Sequence, residues 1–302
     1  MEKKPFLQQL NEQKISYLFI ALPFTLFFVF QLAPVLISFL WSFTRYDVVH
    51  SPRFVGIANY RDILFNDPRF WKAMWNTVLY VLGVVPVGVC LSLFLAVAID
   101  QKIKFKNFFK SIFFLPTVTA IIAVSVIWKW LYAGEKYGLI NYFLMKLGLQ
   151  PVDWLASPTW TLPAIMIMSI WAGVGYSMIL FLAGLQTIPQ VMYEAAEIDG
   201  AGFWKKFFHI TLPLLKPTIV FVAMMSFIFS FQVFEQVYIM TSGQGGIGGV
   251  LDSALTIVAY LYDKGFVKFQ MGYASALAYI IFFCIFILTM INRRVVGTRV
   301  EY

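Results

Sequence analysis

Six stretches of this sequence are apolar enough and long enough to cross a bilayer: residues 17–43, 73–99, 110–131, 161–186, 214–240 and 273–291. A hydrocarbon core about 30 Å thick needs about 20 helical residues, and every backbone group inside it must be satisfied within its own segment. The period-two alternation of a membrane β-strand is absent from these runs. The expected fold is therefore all-α, a polytopic membrane protein of six transmembrane helices in one domain over residues 1–302. With 60% hydrophobic and 13% charged residues, the chain has too little polar surface to cover a soluble core.

The basic residues set the orientation. Short connections carry Lys3, Lys4 and Lys14, then Lys102, Lys104, Lys106 and Lys110, then Lys205, Lys206 and Lys216, and finally Arg293, Arg294 and Arg299. On the other side, Arg45, Arg53, Arg61, Arg69, Lys72, Lys136, Lys146, Lys264 and Lys268 are spread over longer loops. The denser side is cytoplasmic by the positive-inside rule, which puts both termini inside. This clustering beside membrane runs accounts for the net charge of +8, and no nucleic-acid partner is expected. The first run is too long for the core of a cleaved signal peptide and is read as retained. Cys90 and Cys284 lie in apolar runs, and His50 and His209 are isolated. No metal site, disulfide framework or catalytic constellation is expected. The glycines of 243–249 read as a flexible stretch. They lack the GxxxxGK[ST] lysine, so the chain is expected to bind no ATP or other cofactor itself.

One polar stretch interrupts the runs. Residues 187–213 hold two short amphipathic helices joined at Gly200. Pro189 suits an opening turn, and Val191, Ala195 and Ile198 share one side. Asp199-Gly200 is turn chemistry. Phe203, Phe207 and Ile210 repeat the pattern, and Pro213 is expected to limit the second helix. Such an elbow is either a handle for a soluble partner or a pair of helices resting on lipid.

Glu194-Ala195-Ala196, Asp199-Gly200-Ala201, Phe207, Ile210, Leu212-Pro213 and Pro217 resemble the EAA loop of ABC importer permeases. Phe54-Val55-Gly56, Asn59-Tyr60 and Asn76-Thr77 resemble the FVGxxNY…NT stretch of the carbohydrate branch, of maltose or glycerol-phosphate type. The resemblance covers roughly residues 15–295. It implies the type I ABC importer transmembrane fold and transport of a sugar or oligosaccharide by alternating access. It also implies four partners: a second homologous permease, two ATP-binding subunits holding ATP and Mg, and an extracytoplasmic solute-binding protein. The location implied is the cytoplasmic membrane of a bacterium or archaeon. The coupling contacts carried over are Glu194, Ala195, Ala196, Asp199 and Gly200, with Glu194 as the charge contact.

For a substrate, the residues offer several candidates. Ser226, Phe229, Ser230 and Val233 share a face of the fifth run, with Gln232 and Gln236 alongside. Hydroxyls beside an aromatic suit a sugar, and they equally suit hydrogen bonding between helices. Gly173 and Gly175 serve either tight packing or exposure of backbone to a polar molecule. The resemblance carries substrate contact onto Thr117, Gly173, Ser226, Phe229 and Ser230. The competing class is an ion-coupled secondary transporter. Glu235 is the one acidic residue in any run, which leaves a proton or sodium path without a second carboxylate.

Overall fold

The computed structural model describes residues 14–101, 104–134 and 137–295. Among them, five helices are long and apolar enough to span a membrane, and a helix pair bent by 97° is long and apolar enough when taken together. Lys3, Lys4, Lys102, Lys136, Arg299 and both chain ends lie outside the described residues. The contacts divide the chain into two compact units.

The first unit combines residues 1–65 with 264–280. Helix α1 (Lys14–Phe27) runs through a π turn at Phe28–Leu32 into α2 (Ala33–Ser42). Pro34 follows directly on that wide turn, where a missing N–H costs least. The strands β1 (Thr44–Arg45) and β2 (Arg53–Phe54) pair antiparallel, Thr44 opposite Phe54. The FVGxxNY stretch is their fastening. The Asn59 amide donates to the Ser42 and Thr44 carbonyls at 2.8 and 2.9 Å, and the Tyr60 hydroxyl donates to Ser42 Oγ at 2.7 Å. A one-turn helix, α3 (Ala58–Arg61), presents both side chains.

The second unit comprises residues 66–263 and 281–302. Helix α4 (Pro68–Asp100) begins five residues before its apolar run, because Asp67 caps it. The Asp67 carboxylate accepts from Arg69 N at 3.0 Å and Phe70 N at 3.2 Å, and Pro68 supplies the first-turn φ. The third apolar run is divided into α5 (Lys106–Val118) and α6 (Ile121–Leu131). Thr119 and Ala120 are extended, with ψ of 138° and 125°, so the expected single rod over 110–131 is broken into two helices. The loop that follows α6 holds a short helix, α7 (Leu139–Lys146). Its buried Asn141 holds the loop shut, donating to Val152 O and accepting from Val152 N and Trp154 Nε1, each at 3.0 Å.

Helix α8 (Thr161–Leu185) is followed by the elbow helices α9 (Gln190–Ile198) and α10 (Phe203–Lys206). A π turn at Phe207–Thr211 leads into α11 (Leu212–Phe231). Pro213 therefore does not end the second elbow helix. The wide turn just before it, with Leu212 N bonded to Phe207 O, carries the helix through. The fifth run breaks as well, at Gln232–Phe234, and resumes as α12 (Glu235–Thr241). Lys129 caps the far end of α12, donating to Ile239 O at 3.2 Å, Ser242 O at 2.5 Å and Ser242 Oγ at 2.8 Å.

The stretch 243–249, expected to be flexible, is folded. Gly243, Gly245, Gly246, Gly248 and Gly249 all take positive φ, and the Gly248 N–H bonds to Thr241 Oγ1 at 3.1 Å. Beyond it, Leu251 and Asp252 also sit in left-handed backbone, at φ of 54° and 55°. Lys72 Nζ on the Leu251 carbonyl and Asn76 Nδ2 on the Asp252 carbonyl hold them there, at 2.5 and 2.9 Å. Arg69 clamps the Asp252 carboxylate from Nε and Nη2, both at 2.8 Å, and reaches Asp263 with Nη1 at 2.5 Å. Helix α13 (Ile257–Tyr262) lies between those carboxylates in sequence; Tyr260 in it bonds Asp67 and packs under the Arg69 guanidinium. The last helix, α14 (Met271–Val295), starts in the first unit and continues in the second.

The core of the second unit joins α4, α8 and α11 through Ala96, Ile99, Met178, Phe181, Leu182, Leu215 and Val222. In lipid such helices gain little from leaving the solvent, so close packing holds them. Gly184 shows how close. A Cβ there would lie 2.6 Å from Thr218 Oγ1.

Candidate functional site

Two places in the second unit bring together the residues singled out in the sequence. The first is the elbow. Pro189 N-caps α9 in extended backbone, and α9 ends in a Schellman turn. Ala201 N bonds Ala196 O at 2.8 Å, Gly200 N bonds Glu197 O at 3.0 Å, and Gly200 takes φ of +73°. Two side-chain bonds close the angle between the limbs. Lys206 Nζ reaches Glu197 at 2.7 Å, and the Tyr193 hydroxyl meets Thr211 Oγ1 at 2.9 Å.

With those polar groups used internally, the elbow turns its apolar side outward. Ile198 is 87% exposed, Val191 70% and Trp204 67%. Glu194 and Ala195 are exposed on the same limb, and Ala196 is half-buried. The Glu194 carboxylate makes no ion pair among the described residues. A surface this apolar, with the exposed carboxylates of Glu194, Glu197 and Asp199 along it and a rigid bend behind it, has the composition of a contact surface.

The second place is an open cavity of about 300 Å³ lined by α4, α5, α6, α8, α11 and α12. All five substrate candidates line it: Thr117, Gly173, Ser226, Phe229 and Ser230. Ser226 and Ser230 stand one helical turn apart with Phe229 between them, and Phe229 is 60% exposed. Thr117 donates its hydroxyl to Ala172 O at 3.0 Å, so it fixes the wall. Val233 leaves this group. α11 ends at Phe231, and Val233 is buried in the core. The break also splits the glutamine stripe. Gln236 lines the cavity from α12, whereas Gln232 and Glu235 do not. Tyr80, Ser92, Ser169, Tyr176 and Ser177 also line it and were not singled out, although a serine inside an apolar run is a signal that could have found three of them.

Gly173 and Gly175 of α8 divide the two readings between them. A Cβ on Gly175 would run into the Phe113 carbonyl, so this glycine serves the contact of α8 with α5. A Cβ on Gly173 meets nothing within 4 Å, so this one bares backbone to the cavity. Gly175→Ala is expected to lose about 1–3 kcal/mol, the usual cost of overpacking, because a main chain must move. Gly173→Ala is expected to keep wild-type stability. Thermal unfolding of the two purified variants checks this, and equal midpoints would contradict the division.

Among the described residues the cavity lining carries no charged side chain. It combines hydroxyls, one amide, bare backbone and an exposed aromatic ring. Polar groups at membrane depth that face a shared space instead of lipid are the arrangement expected of a polytopic transport protein.

The particular lineage is clear from comparison with known proteins. The chain belongs to the binding-protein-dependent transport system inner membrane component family, whose description matches residues 88–302. It is 37% identical to the arabinooligosaccharides transport system permease protein AraP of Bacillus subtilis, over 95% of this chain and 90% of that one. It is 35% identical to the lactose transport system permease protein LacF of Rhizobium radiobacter, over 92% of each. A solved bacterial ABC transporter involved in import of the acidic polysaccharide alginate shares the fold, with a TM-score of 0.85 at 21% identity, over 99% of this chain and 100% of that one. This chain is thus a multi-pass permease subunit of an ABC importer, with the type I importer fold, and is not itself an enzyme.

Proposed function

We propose that the chain carries a sugar or short oligosaccharide through the cavity of the second unit, and that the elbow receives the movement of an ATPase. The observation that carries this reading is the convergence of Thr117, Gly173, Ser226, Phe229 and Ser230 on one uncharged cavity. Sugar hydroxyls need donors and acceptors, and the apolar faces of the ring need an aromatic such as Phe229. Relatives named for arabinooligosaccharides, lactose and trehalose/maltose support the substrate class.

In this reading a second, homologous permease completes the path, two ATP-binding subunits hold ATP and Mg, and one of them receives this elbow. An extracytoplasmic binding protein delivers the sugar. A solved alginate transporter of similar fold was captured with its ligand-bound periplasmic protein. The elbow and both termini face the cytoplasm, following the basic connections, and the surrounding bilayer is a bacterial or archaeal cytoplasmic membrane. Energy enters because the ATPases bind the inward- and outward-facing conformations with unequal affinity.

Uptake of labelled lactose, trehalose and arabino-oligosaccharides by the reconstituted assembly tests the function. No uptake of any neutral saccharide would defeat it. Glu194→Lys reverses the charge at the exposed contact and is expected to reduce uptake by about tenfold or more, within the usual range of coupling energies. Its insertion in the membrane is expected to be normal, since the residue is exposed. Unchanged uptake would remove Glu194 from the coupling contact.

A further inference from the structure

The row that α4 turns into the cavity is Tyr80, Val84, Gly88 and Ser92. These residues are four apart and so stack along one side of the helix. The row from α8 is Ser169, Gly173 and Ser177. Each row has side chains at its ends and a gap in the middle. A Cβ built on Gly88 meets no atom within 4 Å, and the same holds for Gly173.

Other glycines of these helices differ. A Cβ on Gly83 would lie 2.8 Å from the Met166 sulfur, and one on Gly175 would meet the Phe113 main chain. Close approach explains both. It does not explain Gly88 or Gly173, and neither of them takes a positive φ. Glycine inside a helix is less favourable than alanine. The remaining account is the space beside them.

That space has a fixed wall. Ser92, one turn beyond Gly88, donates to the Val174 carbonyl at 3.0 Å, and Thr117 donates to the Ala172 carbonyl at 3.0 Å. The two bonds grip α8 on either side of Gly173 and tie α4 to it at the same level. Atoms added at Gly88 or Gly173 therefore enter the cavity instead of displacing a helix.

We infer that Gly88 is a size-determining residue of this site, acting with Gly173. Their absent side chains set the width open to the solute and let it lie against bare helix. The inference rests on the sugar-importer reading. The class of solute it selects is the uncharged saccharide, because a carboxylate in this uncharged lining would lose its water without gaining a partner.

The test uses the whole assembly in proteoliposomes, with labelled lactose and trehalose and a size-graded series of arabino-oligosaccharides as probes. The variants are Gly88→Ser and Gly88→Leu, and copurification of the ATPase subunits reports assembly. In Gly88→Leu, uptake of the longer probes is expected to fall about tenfold further than that of the disaccharides, a normal discrimination for added apolar bulk. Gly88→Ser is expected to shift the same ratio in the same direction by less, and it decides the matter if the leucine variant does not assemble. An unchanged ratio, whether uptake falls uniformly or stays normal, overturns the role of Gly88 and leaves the sugar reading standing. Failure of the wild-type assembly to import any probe overturns that reading, and the inference with it.

Discussion

Replacing Gly200 with valine is expected to reduce coupled uptake by about tenfold or more, within the range for coupling between sites. The φ of +73° is the cause. A left-handed conformation costs an L-residue about 1–2 kcal/mol, and more with a branched Cβ. The variant can lower that cost only by opening the Schellman turn, which would re-aim α9 relative to α10. Nothing inside the protein opposes the new side chain, since a Cβ there meets no atom within 4 Å. Insertion and the spans should therefore survive while the geometry of the elbow does not. Gly200→Asp should act more weakly through strain, because Asp tolerates this backbone better, but it adds a carboxylate at the C-terminal end of α9, where the helix dipole disfavours it. Uptake measured beside membrane insertion separates the two effects. Wild-type uptake in both variants would show that the bend is not the transmitting element.

Arg69→Met is expected to have the largest effect on stability. Arg69 holds two carboxylates 183 and 194 residues away in sequence, and the side chain of Asp263 is only 10% exposed. Removing one partner of a buried pair costs about 3–5 kcal/mol, mostly through the charge left behind. Arg69 and Asp252 retain 31% and 26% exposure, so the expected loss is nearer 2–3 kcal/mol by the same reasoning. The damage should spread to the left-handed pair Leu251–Asp252, whose strain this cluster restrains. The triple variant Arg69→Met, Asp252→Asn, Asp263→Asn should recover much of the loss, because no unpaired charge remains. Thermal unfolding of the three proteins measures this. Equal midpoints for wild type and Arg69→Met would show that the cluster contributes nothing.

The spans and the elbow were legible because each rests on a short-range pattern. Runs of about 20 apolar residues report a hydrocarbon core, and Pro189, Asp199 and Gly200 report a cap and a turn. The break at Thr119–Ala120 was not legible, since the apolar run continues across it and only backbone dihedrals change. At Gln232–Phe234 the polar residues Gln232, Glu235 and Gln236 fitted a continuous helix with a polar stripe equally well. The glycines of 243–249 looked slack because composition gives permission for positive φ without saying that Thr241 will use it. The Arg69 cluster was invisible for another reason. Its members are ordinary loop charges until the fold carries Asp252 and Asp263 back to the start of α4. In the cavity, the five candidates were found by resemblance and by facial spacing, whereas Tyr80, Ser92 and Ser177 lie on helices whose inward faces the sequence alone did not fix.

The wide turn at Phe207–Thr211 has a consequence for how such elbows diversify. It accommodates one residue more than an ordinary turn, so everything N-terminal to it, Trp204 included, is rotated by about 100° from the uninterrupted helical path. A one-codon deletion here would leave the span in place and swing the aromatic edge of the elbow to another bearing. Mating surfaces between subunits could therefore drift apart in lineage after lineage without any change to the membrane-embedded part.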